Sequence, residues 1–494
     1  MSGSLSGEDD DIVPVLKHLL FAVTYGLLGC VIVLVGAYVY QQENRPDLKI
    51  WHRAELDTEF HAGIELNDID AYLRLEERLF AQLDQRVYAQ IDATDRRQIN
   101  RYSSGSLTDP SGYPKNWNRS FVLSHAEPVA GAVLLHGLSD SPYSLRALGL
   151  QLHDRQFEVI GLRLPGHGTA PAGLIDVSWH DFTAAVRLAV SSMRARIGPD
   201  RPLYLVGYST GAALAVDYSL AILEGEDMPA ANGLVLLSPA IQAPGIAAYA
   251  IWQARFSNLS GLEKLGWTAI QTEFDPYKYN SFTVNAGDQV YQLTESISNR
   301  MNRLAGPEGV AGLPRTIAFQ SVVDNTLKPS ALVDSLFMKL ASEGHELVLF
   351  DVNRHANAEP LLRADPETLT NHLLAPSKLP FTLSLVTNAS VDSNAVIVRT
   401  KPAGATTTYD EDIKLTWPRG IFSLSHVAIP FPPDDPVYGG VAHASTDEAG
   451  ITLGSIFIRG ERNLLQIPDN YFLRLRYNPF FAYLSKRMLA FLDL

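Results

Sequence analysis

The chain has almost no cysteine. Cys30 stands alone among 494 residues, so no intrachain disulfide forms and no zinc-finger type of thiolate cluster can be built. Basic excess is also missing: 40 Lys and Arg against 54 Asp and Glu leave a formal net charge of -14. Phosphate binding along a nucleic acid needs clustered Lys and Arg, so no nucleic-acid partner is expected. The acidity reads as solubility. There is no His-Glu-x-x-His stretch and no Gly-x-x-x-x-Gly-Lys loop; the sequence therefore predicts no metal and no cofactor. Repeats and low-complexity segments are absent as well. What remains is a chain with 46% hydrophobic and 19% charged residues, the balance of a globular protein long enough to bury a large core.

Long apolar runs are scarce too, with one exception. Leu19 to Tyr40 holds no Asp, Glu, Lys or Arg. As a helix it would reach about 33 Å, enough for a bilayer core. Its length and the missing small-residue cleavage site argue for a single-pass membrane anchor over a cleaved signal peptide. Leu27-Leu28-Gly29-Cys30 faintly resembles a lipoprotein box, but the chain stays apolar to Tyr40. Lys17 precedes the run and Arg45, Lys49 and Arg53 follow it, which leans weakly toward a body on the cytoplasmic side.

The expected organisation is a tail (1–18), the anchor (19–40), a helical linker region (41–120), an α/β core in two parts (121–240 and 313–494, the second with an extended C-terminal region) and an insertion (241–312). In the linker, Ile69, Tyr72, Leu73, Leu79, Phe80, Leu83 and Val87 recur at helical spacing between 67 and 91. From Phe121 the pattern alternates. Strands are expected at 130–135, 157–162, 202–206, 233–237, 315–323 and 346–352. Helices are expected at 141–154, 179–197, 212–223 and 330–341. This alternation predicts an α/β protein, a mostly parallel sheet with helices on both faces. The insertion is dense in aromatics, among them Tyr249, Trp252, Phe256, Trp267, Phe274, Tyr277, Tyr279 and Phe282. It is expected above the carboxyl ends of the strands, where open α/β sheets bind ligands. Further strand-like sequence, such as 395–400, and a helix over 480–494 follow.

Chemistry concentrates at Gly207-Tyr208-Ser209-Thr210-Gly211. The G-x-S-x-G pattern lies between an apolar strand and a helix-forming segment, the setting of a nucleophile elbow. A serine nucleophile needs a base, an orienting acid and oxyanion donors. The backbone N–H of Thr210 is one donor. The other is expected from Leu138 in His136-Gly137-Leu138-Ser139-Asp140, where Gly137 frees the backbone to turn. His136 is expected to brace that loop, and His167 to shape a turn. Asp324, in the loop after 315–323, is the candidate acid. For the base, chain order requires a histidine beyond Asp324: His345, His355, His372, His426 or His443. His355 follows the strand 346–352. His426 sits in a proline-stiffened loop, Ser423 to Pro436. The residues by themselves leave these two level.

Together with Arg163-Leu164-Pro165-Gly166-His167-Gly168, these motifs make the chain resemble a serine hydrolase of the α/β-hydrolase superfamily. It is similar to the monoacylglycerol lipase-like and serine aminopeptidase-like branch. The resemblance covers roughly 130–330. It implies the α/β-hydrolase fold with an inserted cap, Ser209 as nucleophile, Asp324 as acid, and oxyanion N–H groups at Leu138 and Thr210. It tips the base toward His426. The expected activity is hydrolysis of a carboxylic ester, a lipid or other hydrophobic acyl ester, with the membrane reached through the N-terminal helix. An amide, peptide or thioester substrate, acyl transfer, and a binding protein without catalysis stay open as alternatives. Nothing in the sequence bears on oligomeric state.

Overall fold

The computed structural model describes residues 9–242, 262–356, 367–440, 451–455 and 474–493. The chain opens with helix α1 (Asp9–Glu43). Its stretch Lys17–Gln41 is long and apolar enough to cross a membrane, and none of it is buried against the body. The chain leaves α1 directly onto the body. Arg45 donates from Nη1 to the carbonyls of Trp267 (2.7 Å) and Lys264 (3.2 Å), and Lys264 Nζ donates back to the Arg45 carbonyl (3.0 Å). After α2 (Ile50–Arg53) comes α3 (Ile69–Arg86), capped by Asp68, whose carboxylate accepts the Ala71 N–H. Apolar residues at three- and four-residue spacing bury Ile69, Tyr72, Leu75, Leu79 and Leu83. The region expected as a linker is thus packed onto the body, and Ile69, Tyr72 and Leu75 belong to the main core.

The body is built on a ten-stranded sheet. In chain order its strands are β1 (Phe121–Leu123), β2 (Ala130–Leu135), β3 (Phe157–Leu162), β4 (Leu203–Tyr208), β5 (Gly233–Leu237), β8 (Arg315–Ser321), β9 (Glu346–Phe350), β10 (Thr382–Asn388), β11 (Ala395–Lys401) and β12 (Tyr409–Thr416); β6 (Trp267–Ala269) and β7 (Phe282–Thr283) pair separately. The order across the sheet is β1-β3-β2-β4-β5-β8-β9-β10-β11-β12. From β3 to β10 all neighbours are parallel; β1 at one edge and β11 and β12 at the other run antiparallel. The central parallel strands β2, β3, β4 and β5 are buried along their whole length, as strands covered on both faces must be. At the far edge, β12 points Asp410, Glu411, Asp412 and Lys414 into solvent.

Helices cover both faces. In chain order these are α4 (Arg146–His153), α5 (Trp179–Ile197), α6 (Thr210–Leu223), α7 (Val284–Leu304), α8 (Pro329–Ser335), α9 (Glu367–Leu374) and α10 (Phe481–Phe491). One face buries α5, α6, α7 and α8; the other buries α4 and α10. Helix α7 departs from the expected insertion. Val290, Leu293, Ile297 and Met301 form one apolar stripe, and it packs into the main core beside α6 rather than above the strand ends. The expected helix over 330–341 is α8 followed by a 3₁₀ turn at Phe337–Lys339. Tyr249, Trp252, Phe256 and His443 lie outside the described residues.

Candidate active site

Three loops at the carboxyl ends of the strands converge on Ser209. The serine sits between β4 and α6 with φ 53° and ψ -114°, a region a non-glycine residue occupies only at a cost of about 1–3 kcal/mol. Its flanking glycines are obligatory. A Cβ on Gly211 would stand 2.0 Å from the Leu135 carbonyl oxygen, and one on Gly207 2.4 Å from the Ala212 Cα. The elbow is pinned by the Ser209 N–H, which donates to the Leu237 carbonyl (2.9 Å), and by the Ser209 carbonyl, which accepts the Ala240 N–H (3.1 Å).

Asp324 follows β8. Its Oδ1 accepts the N–H groups of Thr326 (2.8 Å) and Leu327 (2.9 Å), an Asx turn that fixes the carboxylate. Its Oδ2 lies 2.8 Å from His426 Nδ1, and His426 Nε2 lies 3.2 Å from Ser209 Oγ. Both His426 and Asp324 are buried. The base and acid therefore meet across 102 positions of chain. His355 stands elsewhere: it is exposed, and its Nδ1 faces the Val391 carbonyl at 3.2 Å, beyond the end of β10. His345 is buried, its Nδ1 accepting the Thr316 N–H, and His372 is exposed on α9.

His426 depends on the segment that carries it. Asp435 is the anchor of that segment. Its carboxylate accepts from Tyr143 Oη (2.8 Å) and Arg146 Nη2 (3.1 Å), and from the N–H groups of Val437 (3.0 Å) and Tyr438 (2.9 Å). Ser425 Oγ donates to the Leu475 carbonyl, and the Asn353 N–H to the Phe422 carbonyl (2.7 Å). The Tyr208 ring lies 5.4 Å from the imidazole, centroid to centroid.

The loop after β2 closes the other side. A Cβ on Gly137 would meet Ser209 Cβ and the Tyr208 ring at 3.1 Å, so glycine lets the Leu138 backbone lie close to the serine. Thr210 opens α6, where a helix leaves its first N–H groups without intrahelical partners. His136 braces this loop. Its Nε2 accepts the Leu164 N–H (3.0 Å), which leaves Nδ1–H to donate to the Gly137 carbonyl (2.8 Å). Burial, and then the charge of neighbouring groups beginning with His167, holds its pKa well below the ordinary value. His167 donates from Nδ1 to the Pro165 carbonyl (2.8 Å), and burial lowers its pKa to about 4.

Arg163 opens one of the motifs, but its partners Glu59 and Glu76, and Lys278, carry no signal there. Arg163 is fully buried and forks to Glu76 Oε1 (2.9 Å) and to both carboxylate oxygens of Glu59 (2.8 and 2.9 Å), while its Nη1 holds the His167 carbonyl (2.9 Å). Glu76 lies on the buried face of α3, where a carboxylate in an apolar stripe points to a buried partner. Lys278 sits between two tyrosines and reaches Asp140 Oδ2 at 3.1 Å. Among the described residues no group of three or more His, Cys, Asp or Glu could hold a metal ion.

Residues 132–365 match the alpha/beta hydrolase family model; Ser209, Asp324, Leu138 and Thr210 lie inside this span and His426 lies beyond it. The thermostable monoacylglycerol lipase of Bacillus sp. (strain H-257) is 24% identical over 233 residues, covering 46% of this chain and 85% of that protein. Among solved structures, the monoacylglycerol lipase of Paleococcus ferrophilus is 18% identical with a TM-score of 0.35, covering 47% of this chain and 88% of its own. A soluble variant of monoglyceride lipase from Saccharomyces cerevisiae is 15% identical with a TM-score of 0.37, covering 47% and 82%. The chain has the α/β-hydrolase fold, is related to the monoacylglycerol lipase type, and is a hydrolase similar to lipases and esterases.

Proposed function

We propose that the protein hydrolyses carboxylic esters with Ser209, His426 and Asp324 as a catalytic triad, and that its substrate is a lipid or other hydrophobic acyl ester. The observation that carries this reading is the pair of contacts on one imidazole, 3.2 Å to Ser209 Oγ and 2.8 Å to Asp324 Oδ2. Ser209 Oγ attacks the ester carbonyl carbon as His426 Nε2 takes its proton. Asp324 accepts the Nδ1–H and stabilises the imidazolium. The carbonyl oxygen becomes an oxyanion held by the N–H groups of Leu138 and Thr210. Loss of one such donor costs roughly 10²–10³ in rate. His426 then returns the proton to the leaving alcohol. Water, activated by the same imidazole, hydrolyses the acyl-enzyme.

The hydrophobic substrate class rests on two supports. One is the similarity to the thermostable monoacylglycerol lipase of Bacillus sp.; the other is the exposed apolar stretch of α1, taken as a membrane anchor. The test is Ser209→Ala, assayed on 4-nitrophenyl esters of two to ten carbons and on monoacylglycerols, with a fluorophosphonate probe alongside. Turnover should fall by at least about 10⁴-fold and labelling should vanish. Unchanged turnover, or labelling at another residue, would overturn the triad. A preference for the two-carbon ester would overturn the hydrophobic substrate class alone.

A further inference from the structure

Next to the triad lies a cavity of about 160 Å³. Its position follows from its walls. Ser139 succeeds Leu138 in the loop that closes on Ser209, and Val427 succeeds His426. Its charged lining is mainly cationic: Lys278, Arg474 and Arg476, against the carboxylate of Asp275, with Ser139, Tyr279, Asn280 and Tyr438 as neutral polar walls.

The carboxylates nearby are largely occupied. Asp275 Oδ1 accepts the N–H groups of Tyr277 (3.0 Å) and Lys278 (3.1 Å) and the Tyr438 hydroxyl (2.5 Å), while Oδ2 faces Arg476 Nη1 at 3.5 Å. Asp140 sits behind Lys278, 3.1 Å from its ammonium. That ammonium also stands 4.9–5.5 Å from the centroids of the Tyr208, Phe431 and Tyr438 rings. Arg474 is exposed, and its guanidinium donates to the neutral Thr326 hydroxyl (3.2 Å). Among the described residues no carboxylate lies within 4.0 Å of it. Three cations against Asp275 and Asp140 leave one positive charge in excess. It belongs to a guanidinium, whose planar fork fits carboxylate and phosphate oxygens.

Size narrows the occupant. Pockets for whole drug-sized ligands run to about 300–1,000 Å³, so this one takes a group and not an entire substrate. A carboxylate or phosphate fits; a long acyl chain does not. The Tyr208 ring is shared ground, 5.4 Å from the His426 ring and 5.5 Å from Lys278 Nζ.

We propose that this cavity is a subsite for an oxyanion group, carboxylate or phosphate, carried by the ester that Ser209 attacks. The proposal rests on the triad reading and sharpens its substrate class: an ester with one charged substituent, on either the acyl or the alcohol side.

Matched substrates test it. On the acyl side, 4-nitrophenyl hemiglutarate is compared with 4-nitrophenyl butyrate. On the alcohol side, 1-octanoylglycerol 3-phosphate is compared with 1-octanoylglycerol. At low ionic strength the wild type should favour the anionic member of at least one pair, and the favoured arm identifies the side. In the Arg474→Gln/Arg476→Gln double variant the anionic-to-neutral ratio of kcat/KM should fall at least tenfold, chiefly through KM. Added salt should erode the wild-type preference. Inorganic phosphate, followed by thermal shift, reads the subsite without turnover and should stabilise the wild type more than the double variant. No anionic preference in either arm, or an unchanged ratio in the variant, overturns the subsite even if Ser209-dependent turnover of neutral esters is intact. Phosphate stabilisation that depends on the two arginines, in a protein that turns over no ester, would instead keep the subsite and sink the triad.

Discussion

Glu76 on α3 and His426 in the Ser423–Pro436 loop are both delivered by segments outside the alternating strand–helix units, and both are buried. Glu76 touches Arg163 and Ser120 and goes no further. His426 touches Ser209 itself. The N-terminal segment thus stiffens a loop behind the site, whereas the C-terminal segment supplies a group in contact with the serine. A chain can build a site by adding to it or by holding it, and the two additions here divide those tasks. The division has a measurable form, the ratio of lost activity to lost stability on truncating each residue.

The largest effect is expected at His426. His426→Ala should lower kcat by about 10⁴-fold or more while leaving the melting temperature nearly unchanged; His355→Ala should leave kcat at the wild-type value. Equal losses in the two variants would break the comparison at its strong end. Asp324→Asn comes next, with about 10⁴ expected in kcat because the imidazole loses the partner that sets its tautomer; steady-state kinetics on a neutral ester reads it. Glu76→Ala should behave oppositely. It leaves a buried guanidinium short of a partner, which costs roughly 3–5 kcal/mol of stability, while kcat per folded molecule stays within about tenfold of wild type. Urea denaturation beside active-site titration separates the two quantities.

The smallest effect is pH-dependent. Burial lowers the His167 pKa from 6.5 to about 4. Between those values the unfolded chain binds a proton that the folded one refuses, so this residue's share of stability is complete above pH 6.5 and is lost as the pH falls toward 4. At pH 4 the share lost reaches about 3 kcal/mol. His167→Gln should therefore flatten the decline of melting temperature between pH 6.5 and 4, and an unchanged slope would show that His167 does not titrate as its burial requires.

Legibility followed chain distance. Ser209 and its glycines could be read because strand, turn and helix are consecutive, and their sterics are local. Asp324 could be named a candidate because it lies in the loop that follows a strand-like run and precedes Lys328-Pro329. The base could not be decided between His355 and His426 by residues alone. The reason is β10, a further parallel strand beside β9, after which the chain makes two antiparallel strands before returning to Ser209. His355 was topologically reasonable for a sheet ending at β9. The insertion expected over 241–312 contains helix α7, whose stripe Val290, Leu293, Ile297 and Met301 packs in the main core; aromatic density does not distinguish a cap from such a helix, whereas the stripe does. Glu76 gives little signal because a charge on a helix is ordinarily solvent-facing; its place between Tyr72 and Leu79 on the buried face is the signal the sequence offers.

The outermost strand sets the edge that the sheet presents to other chains. Among the described residues β12 leaves one side of its backbone unpaired, the kind of edge to which another chain can add a strand. Its exposed Asp410 and Asp412 are ion-paired with Arg399 and Lys414, so the charge that opposes a second copy is the net -14 carried by each molecule. Lys414, at φ 58°, breaks the extended run near its end, and the register slips between Val396 and Ile397 on the neighbouring strand. The ten-stranded sheet thus ends in an irregular, charged rim, the kind of edge that resists the addition of a further strand.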